Sequence, residues 1–108
     1  MTLHTAEKVV IITEKIISNG VCKIIEACGA TGYTIFEAGG KGSRNNRSTT
    51  VRASVVDDFA NVQIEIIDNN YAMAEAIMDK VRETYFHNYS GITYLEDIKI
   101  LRPEKFQK

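Results

Sequence analysis

The order in which strand-like and helix-like stretches alternate is the feature that most limits what this chain can fold into. Runs of β-branched residues and the spacing of apolar residues predict strand, helix, strand, long loop, strand, helix and strand. These stretches fall at about residues 8–13, 17–28, 32–38, 39–58, 62–66, 74–85 and 92–101. The order predicts one α+β domain over residues 1–108. Its fold would be the ferredoxin-like βαββαβ arrangement, with two helices on one face of a four-stranded antiparallel sheet.

The two predicted helices rest on apolar residues that recur every three or four positions and therefore share one helical face. These residues are Ile17, Val21, Ile24, Ile25 and Cys28 in the first helix and Ala74, Ile77, Met78, Val81 and Tyr85 in the second. Gly29 stands where a glycine commonly ends a helix. Asn70 closes an Asp-Asn-Asn turn that is suited to cap the start of the second helix.

Two helices cover only one face of such a sheet, and the other face is not strongly polar. We expect Val10, Ile12, Tyr33 and Tyr94 to be available on this second face. An exposed apolar sheet face usually marks an association surface. The sequence therefore predicts a homo-oligomer that packs sheet to sheet.

Composition and charge narrow the class of function. The chain is 44% hydrophobic and 25% charged, with a net charge of -1, so it has no general attraction to nucleic acid or anionic membranes. No apolar run approaches the ~20 residues that span a bilayer. Residues 1–8 lack the apolar stretch of a secretory signal, and we expect a cytoplasmic protein. Cys22 and Cys28 point to different faces of a helix and are interpreted as structural thiols.

Few residues suggest catalysis. His4 belongs to a terminus that is expected to be flexible, and His87 follows the second helix. Glu14 and Lys15 follow the first strand, a position that often borders a site. No Ser-His-Asp or Cys-His order and no cluster with metal-ligand spacing stands out. We therefore expect a protein that is not an enzyme and that holds no metal and no resident cofactor.

The loop between the second and third strands is unusually long. It has about 18 residues, whereas most connections in compact domains have about 4–6. Its first half, residues 39–49, reads Gly-Gly-Lys-Gly-Ser-Arg-Asn-Asn-Arg-Ser-Thr. Glycines let backbone N–H groups turn toward one centre, and Arg44 and Arg47 are suited to two-pronged contacts with phosphate oxygens. This composition predicts an anion site, and the anion favoured is a nucleotide phosphate.

The loop matches neither the P-loop pattern nor the dinucleotide fingerprint. A flexible loop whose arginines are simply solvated is the alternative that composition leaves open. Asp57 and Asp58 close the loop with negative charge. They could pair with Arg44, Arg47 or Arg52 in one state and release them in another, which is a hypothesis about a switch.

Four stretches of the chain resemble the PII-like signalling proteins, and among them SbtB and the carboxysome-associated PII protein (CPII). They are Val-Ile-Ile-Thr-Glu-Lys at 10–15, Gly-Ala-Thr-Gly-Tyr-Thr at 29–34, Gly-Gly-Lys-Gly-Ser-Arg-Asn-Asn-Arg-Ser at 39–48 and Tyr-Phe-His-Asn-Tyr-Ser-Gly-Ile-Thr-Tyr at 85–94. The resemblance extends from Lys8 to about Leu101. Its most specific part is the Gly-Lys-Gly-Ser-Arg-x-x-Arg-Ser string.

The resemblance implies a ferredoxin-like homotrimer that binds adenine nucleotides (AMP, ADP, ATP or cyclic AMP) in clefts between subunits. It implies that the long loop, called the T-loop and placed at about residues 41–58, changes order with the nucleotide and carries a signal. SbtB-like members act on a sodium-dependent bicarbonate transporter, which would bring the protein to the inner membrane. The carboxysome-associated members bind bicarbonate beside the nucleotide. The implied function is signal transduction that regulates inorganic carbon uptake or fixation, as part of a carbon-concentrating mechanism.

The resemblance also implies which residues bind the nucleotide. The start of the T-loop should meet the phosphates, the turn before the last strand should border the nucleotide, and the strand that leads into the T-loop should line the cleft. The residues are Tyr33, Thr34, Gly40, Lys41, Gly42, Ser43, Arg44, Arg47, Asn88, Tyr89, Gly91 and Ile92.

Two departures from the family pattern limit these implications. Many SbtB proteins end in a Cys-Gly-Pro-x-Gly-Cys loop, whereas residues 101–108 here read Leu-Arg-Pro-Glu-Lys-Phe-Gln-Lys. Thiol control and the nucleotide hydrolysis tied to that loop are not expected. The T-loop also lacks the tyrosine that ordinary PII proteins modify, so uridylylation is not expected.

Three other classes are weaker matches. An acylphosphatase-type enzyme of the same fold would need its arginine loop next to the first strand. A CutA-like trimer lacks the long glycine- and arginine-rich loop. An RNA-binding sheet would need a basic surface, which the net charge of -1 does not favour.

Overall fold

The protein folds as strands and helices in the order predicted. A computed structural model describes residues 2–39 and 60–101. The whole predicted T-loop, at about residues 41–58, and Pro103 with the tail lie outside the described residues. The elements are strand β1 (His4–Glu14), helix α1 (Ser18–Ala27) after a short 3-10 turn (Lys15–Ile17), β2 (Thr34–Ala38), β3 (Asn61–Asp68), α2 (Tyr71–Tyr85) and β4 (Gly91–Ile100). The sheet order is β2-β3-β1-β4 and every pair is antiparallel. The ferredoxin-like α+β fold is confirmed.

The first strand is longer than predicted. β1 begins at His4, which pairs with Ile100 of β4. The prediction that His4 belongs to a flexible terminus is therefore wrong. The reason is that β4 runs to Ile100 and offers a ladder of backbone partners to residues 4–7, where the side-chain pattern alone shows no strand signal.

The helices cover one face of the sheet and form the core with it. Successive residues of a strand point to opposite faces, and Val9 and Ile11 of β1 point to the helices, where both are essentially inaccessible to solvent. The core cluster consists of Val9, Ile11, Ile17, Val21, Cys22, Ile25, Val62, Ile64, Ile66, Ala74, Ile77 and Val81. Burial of each such branched side chain contributes about 1.5–3 kcal/mol, so this cluster holds the helices on the sheet.

The second face of the sheet carries a mixture of apolar and charged side chains, which differs in part from the prediction. Tyr94 is 38% exposed there, as expected, and Ile12 is half-buried. Val10 lies on this face but is 1% exposed, so it is not available as predicted. Tyr33 does not belong to this face, because it precedes β2 and its hydroxyl donates to Glu26 Oε2 of α1 at 2.7 Å. Its placement on the second face was wrong.

Both predicted helix boundaries are confirmed. Gly29 follows the end of α1 with a φ of 99°, a conformation that favours glycine. At the start of α2, the Asn70 side chain accepts a hydrogen bond from the Met73 backbone N–H at 3.0 Å. Asp68 Oδ1 in turn accepts from the Asn70 backbone N–H at 2.8 Å.

The start of β4 is fastened to the end of β1 by two side chains. Thr13 is fully buried, and its hydroxyl donates to the Ser90 carbonyl at 2.8 Å. Glu14 Oε2 accepts from the Ser90 backbone N–H at 2.7 Å. These contacts join residues 76 and 77 positions apart in the chain, so they fix the turn before β4 against the centre of the sheet.

The two helices approach each other closely where α1 has a glycine. A Cβ atom placed on Gly20 would overlap the hydroxyl of Tyr85 and lie 2.7 Å from the Tyr85 Cζ atom. Tyr85 is the last residue of α2. Gly20 therefore costs α1 some helix propensity but allows the Tyr85 ring to pack against it.

We expect Gly20→Ala to destabilise the protein by about 1 kcal/mol, because overpacking outweighs the 0.5–1 kcal/mol or so that alanine normally gains over glycine in a helix. In the background of Tyr85→Ala the same substitution should become stabilising. Urea unfolding of the four variants at one protein concentration measures both effects. A stabilising effect of Gly20→Ala in the wild-type background would contradict this contact.

We expect Thr13→Val to lower the free energy of unfolding by about 1–3 kcal/mol, because the buried Ser90 carbonyl loses its donor. Thr5→Val is the matched control, since Thr5 lies on the same strand and is exposed. It should change stability by less than about 0.5 kcal/mol. Equal effects of the two substitutions in urea unfolding would show that the Thr13 hydrogen bond does not stabilise the fold.

Candidate functional site

The base of the T-loop lies at the end of the central strand. Ala38, the last residue of β2, pairs with Asn61, the first residue of β3, and Asn61 pairs with Glu14 of β1. Just beyond this row, the Lys15 backbone N–H donates to the Ala60 carbonyl at 2.8 Å. Lys15 Nζ lies 2.8 Å from Glu37 Oε2. Both ends of the loop are thus held in place, on either side of residues 40–59.

The turn before β4 lies at the same end of the sheet. Gly91 pairs with Thr13, which directly precedes Glu14, the partner of Asn61. A Cβ atom on Gly91 would lie 2.9 Å from Thr13 Oγ1 and 2.5 Å from the Phe86 ring, so only glycine fits there. That the backbone at Gly91 borders the nucleotide stays a prediction. The T-loop base and the 88–92 turn therefore converge on residues 13–15.

The other predicted residues of this turn differ in exposure. Asn88 is exposed, and Ile92 is 54% exposed. Tyr89 is half-buried and its ring meets the edge of Tyr85, with centroids 6.2 Å apart. The ring of Tyr89 thus contributes to packing.

A buried amide lies at the base of the T-loop. Asn61 is 1% exposed, and its Oδ1 has no hydrogen-bond partner among the residues that the structure describes. Buried polar atoms are nearly always paired. Sequence reasoning did not single out Asn61, because it alternates with the apolar residues of β3 and so resembles a solvent-facing position.

A cavity of about 220 Å³ lies at the opposite end of β2. Its lining residues are Gly32, Tyr33, Thr34, Glu65 and Ile67. Tyr33 and Thr34 were predicted site residues, and Glu65 and Ile67 were missed. The alternation of β3 indicates that Glu65 points away from the core, but only the observed pairing of Thr34 with Glu65 shows that the two share a cavity.

The carboxylate in this cavity is held by neighbours on the second face of the sheet. Gln63 Nε2 donates to Glu65 Oε2 at 2.8 Å, and Lys8 Nζ lies 4.0 Å from the same oxygen. Lys8 Nζ also lies 3.3 Å from Glu96 Oε1. The contact with Glu96 and the charge of Glu65 raise the pKa of Lys8, so its ammonium group remains charged at neutral pH.

Tyr33 borders the cavity as a neutral hydrogen-bonded phenol. Its hydrogen bond to Glu26, with a further contribution from the neighbouring Cys22 thiol, raises the pKa of the Tyr33 hydroxyl. The ring is half-buried and packs against the core. Tyr33 therefore offers the cavity a fixed aromatic edge, with its polar end turned to α1.

The predicted site residues form two separate groups within one chain. Across the sheet, Thr34 pairs with Glu65, Glu65 with Val10, and Val10 with Tyr94. Gly91, in the other group, lies three positions before Tyr94 in β4. The two groups are thus about 10 Å apart along the strands and about 14 Å apart across the sheet. One chain does not bring them together. The predicted residues Gly40, Lys41, Gly42, Ser43, Arg44 and Arg47 lie outside the described residues.

Two further observations concern the described part of the chain. Within residues 2–39 and 60–101, no group of three or more His, Cys, Asp or Glu side chains is arranged to hold a metal ion. In the same ranges, neither helix has the length and apolar character needed to cross a bilayer.

A family model and a solved structure both match this chain to the PII proteins. The family model of the nitrogen regulatory protein P-II matches residues 6–105. A PII-like signalling protein from Thermus thermophilus is 31% identical, with a TM-score of 0.77, over 98% of this chain and 99% of the other.

Two solved structures of CPII from Thiomonas intermedia share the fold. One, bound to ADP and bicarbonate, is 24% identical with a TM-score of 0.79 over 98% of each chain. The other, bound to ADP, AMP and bicarbonate, is 24% identical with a TM-score of 0.80, over 97% of this chain and 96% of that one. The family model spans both helices and all but the first two residues of the sheet. This chain belongs to the nitrogen regulatory protein P-II family.

Proposed function

We propose that this PII-like signalling protein is a homotrimer that binds adenine nucleotides in clefts between subunits. Through its T-loop it regulates the uptake or fixation of inorganic carbon. The observation that carries the proposal is the convergence of the T-loop base and the Gly91 turn on the end of β1, where Gly39 leads directly into the basic glycine-rich segment. A ligand with several negative oxygens suits this combination.

The phosphates lie at the loop base in this proposal. The Gly-Gly-Lys-Gly-Ser-Arg-Asn-Asn-Arg segment supplies backbone N–H groups, glycines that allow close approach and three cations within residues 39–47. Arginine binds phosphate oxygens with two parallel hydrogen bonds. The Gly91 turn supplies a second stretch of backbone beside it, at a position where the Phe86 ring and Thr13 leave room only for glycine.

The base of the nucleotide lies in the cavity at the start of β2. Tyr33 and Ile67 give it apolar walls, whereas Thr34 and Glu65 give it polar groups. Ligand sites are commonly apolar clefts with a few polar groups that fix orientation. This cavity matches the base better than the phosphates, because a carboxylate such as Glu65 repels anions.

The separation of the two groups within one chain supports a site that a neighbouring subunit completes. β2 and β4 are the two edge strands of the sheet, so their ends are exposed to another copy. The second face also exposes Phe36, Ile92 and Tyr94, at 46%, 54% and 38% of their surfaces. Large apolar side chains exposed on one face favour self-association.

A role in carbon metabolism rests on the sequence resemblance and on the ligands of a similar protein. CPII from Thiomonas intermedia binds ADP together with bicarbonate. We propose bicarbonate as a second ligand here. A sodium-dependent bicarbonate transporter or a carboxysome component is the proposed partner of the T-loop.

We expect AMP, ADP, ATP or cyclic AMP to stabilise the protein, because a ligand that binds only the folded form contributes about 2.7 kcal/mol at a hundred times its Kd. Arg47→Ala should remove most of this stabilisation, because a charge-assisted phosphate contact is worth about 1.5–3 kcal/mol. Thermal unfolding with each nucleotide, with and without bicarbonate, measures the effect.

Arg82→Ala is the matched control for this experiment. Arg82 is an exposed arginine of α2 whose nearest carboxylate is Asp79, at 3.9 Å. This variant should retain the full nucleotide response. A titration in which no adenine nucleotide stabilises the wild-type protein would overturn the proposed function.

We expect Tyr94→Glu to dissociate the homotrimer, because it places a charge in the apolar second face. Tyr71→Glu is the matched control, since Tyr71 is 55% exposed but lies on α2, away from this face. Light scattering coupled to size-exclusion chromatography reports the mass of each variant. A wild-type protein with the mass of one chain, or a Tyr94→Glu variant that remains a trimer, would contradict the proposed interface.

A further inference from the structure

The turn before β4 has a buried part and an exposed part. Ser90 is only 5% exposed. Asn88 before it and Gly91 after it are both exposed. A ligand that approaches this turn therefore meets Gly91 and its exposed neighbours, while the backbone of Ser90 lies behind them. The groups that hold Ser90 decide where the exposed part of the turn lies.

The backbone of Ser90 is held by two consecutive residues of β1. The Thr13 hydroxyl donates to the Ser90 carbonyl at 2.8 Å, and Glu14 Oε2 accepts from the Ser90 N–H at 2.7 Å. Hydrogen bonds to a carboxylate are roughly twice as strong as those between neutral groups. The contact with Glu14 is therefore the stronger of these two fastenings.

The N–H groups just before Ser90 are satisfied by the end of α2. Asn88 and Tyr89 both donate to the Tyr85 carbonyl, at 3.0 and 2.9 Å. The next N–H along the chain, that of Ser90, donates to Glu14 on the sheet. Glu14 thus lies where the chain passes from the helix to the sheet.

The residue after Glu14 fastens the T-loop base. The Lys15 backbone N–H donates to the Ala60 carbonyl at 2.8 Å. Glu14 and Lys15 are adjacent, so they fix the 88–92 turn and the loop base relative to each other. The proposed phosphate site lies between these two segments, and its width follows from their separation.

A carboxylate that accepts from a backbone N–H can have one of two roles. It can hold the turn in place, or it can occupy the position of a phosphate oxygen and compete with the ligand. The burial of Ser90 favours the first role, because a phosphate does not reach the N–H of a residue that is 5% exposed unless the turn opens.

We propose that Glu14 is a positioning residue for the phosphate end of the nucleotide. By holding the Ser90 N–H, it sets the exposed backbone at Gly91 at the distance from the T-loop base that the phosphates require. The inference rests on the proposed function and deepens it. Glu14 itself does not touch the ligand, since its Oε2 is directed to Ser90.

The test compares ADP with adenosine, which lacks the phosphates. We expect Glu14→Ala to weaken ADP binding about tenfold, the lower end of what the loss of a hydrogen bond to a charged group produces. Adenosine binding should not change. Glu14→Gln should restore ADP binding, because its amide oxygen still accepts from the Ser90 N–H. Calorimetric titration of the full chain below its unfolding transition gives the ADP constants, and displacement of ADP by adenosine gives the weaker ones.

Thr13→Val provides a second variant that acts through the same residue. It removes the donor to the Ser90 carbonyl and should also weaken ADP binding. The loss in the double variant with Glu14→Ala should be smaller than the sum of the two single losses, because both act on one turn. Ile77→Val is the control for stability alone. Ile77 is a core residue of α2 that is 1% exposed, so this variant opens a cavity and should unfold more easily without losing ADP affinity.

The outcomes separate this inference from the proposed function. A wild-type protein that binds no adenine nucleotide would overturn both. If ADP binds and Glu14→Ala leaves its affinity unchanged or raises it, the positioning role is wrong and the adenine-nucleotide function stands. Equal losses of ADP and adenosine affinity in Glu14→Ala would also contradict a role at the phosphate end.

Discussion

The pairing of β1 with two neighbours at once is the interaction on which the rest of the structure depends. β1 pairs with β3 over residues 7–14 and with β4 over residues 4–13, so it joins the two halves of the chain. Val9 and Ile11 point from it to the helices, whereas Lys8 and Val10 point to the opposite face. Because the T-loop base and the turn before β4 both attach to the end of this strand, their relative position follows from its register.

Most of the fold could be predicted because its side chains repeat with a clear period. The helical faces, the glycine after α1 and the asparagine cap of α2 all carry local signals that survive in the structure. The errors arose where the deciding interaction is not local. The extension of β1 to His4 depends on backbone partners in β4, and the direction of Tyr33 depends on a carboxylate of α1. The pattern of apolar residues along the sequence carries no information about either of these distant partners.

The candidate site was predictable only in part, and the signal was family resemblance and not periodicity. Tyr33 and Thr34, which line the cavity, and the glycine of the 88–92 turn were indicated by family resemblance. Glu65 was not, because a glutamate that alternates with isoleucines in a strand looks like any solvent-facing residue. Its significance comes from the register, which places Thr34 opposite it and Lys8 nearby.

The fastening of the T-loop at both ends has a consequence for how the protein can diversify. Ala38 and Asn61 are paired residues of adjacent strands. The two ends of the segment between them are therefore held side by side, whatever the sequence of that segment. Doubling the length of such a segment costs only about 0.6 kcal/mol in closure entropy. Insertions, deletions and substitutions in the loop are therefore nearly decoupled from folding. One sheet can carry many different loops, and a new partner can be acquired without rebuilding the domain.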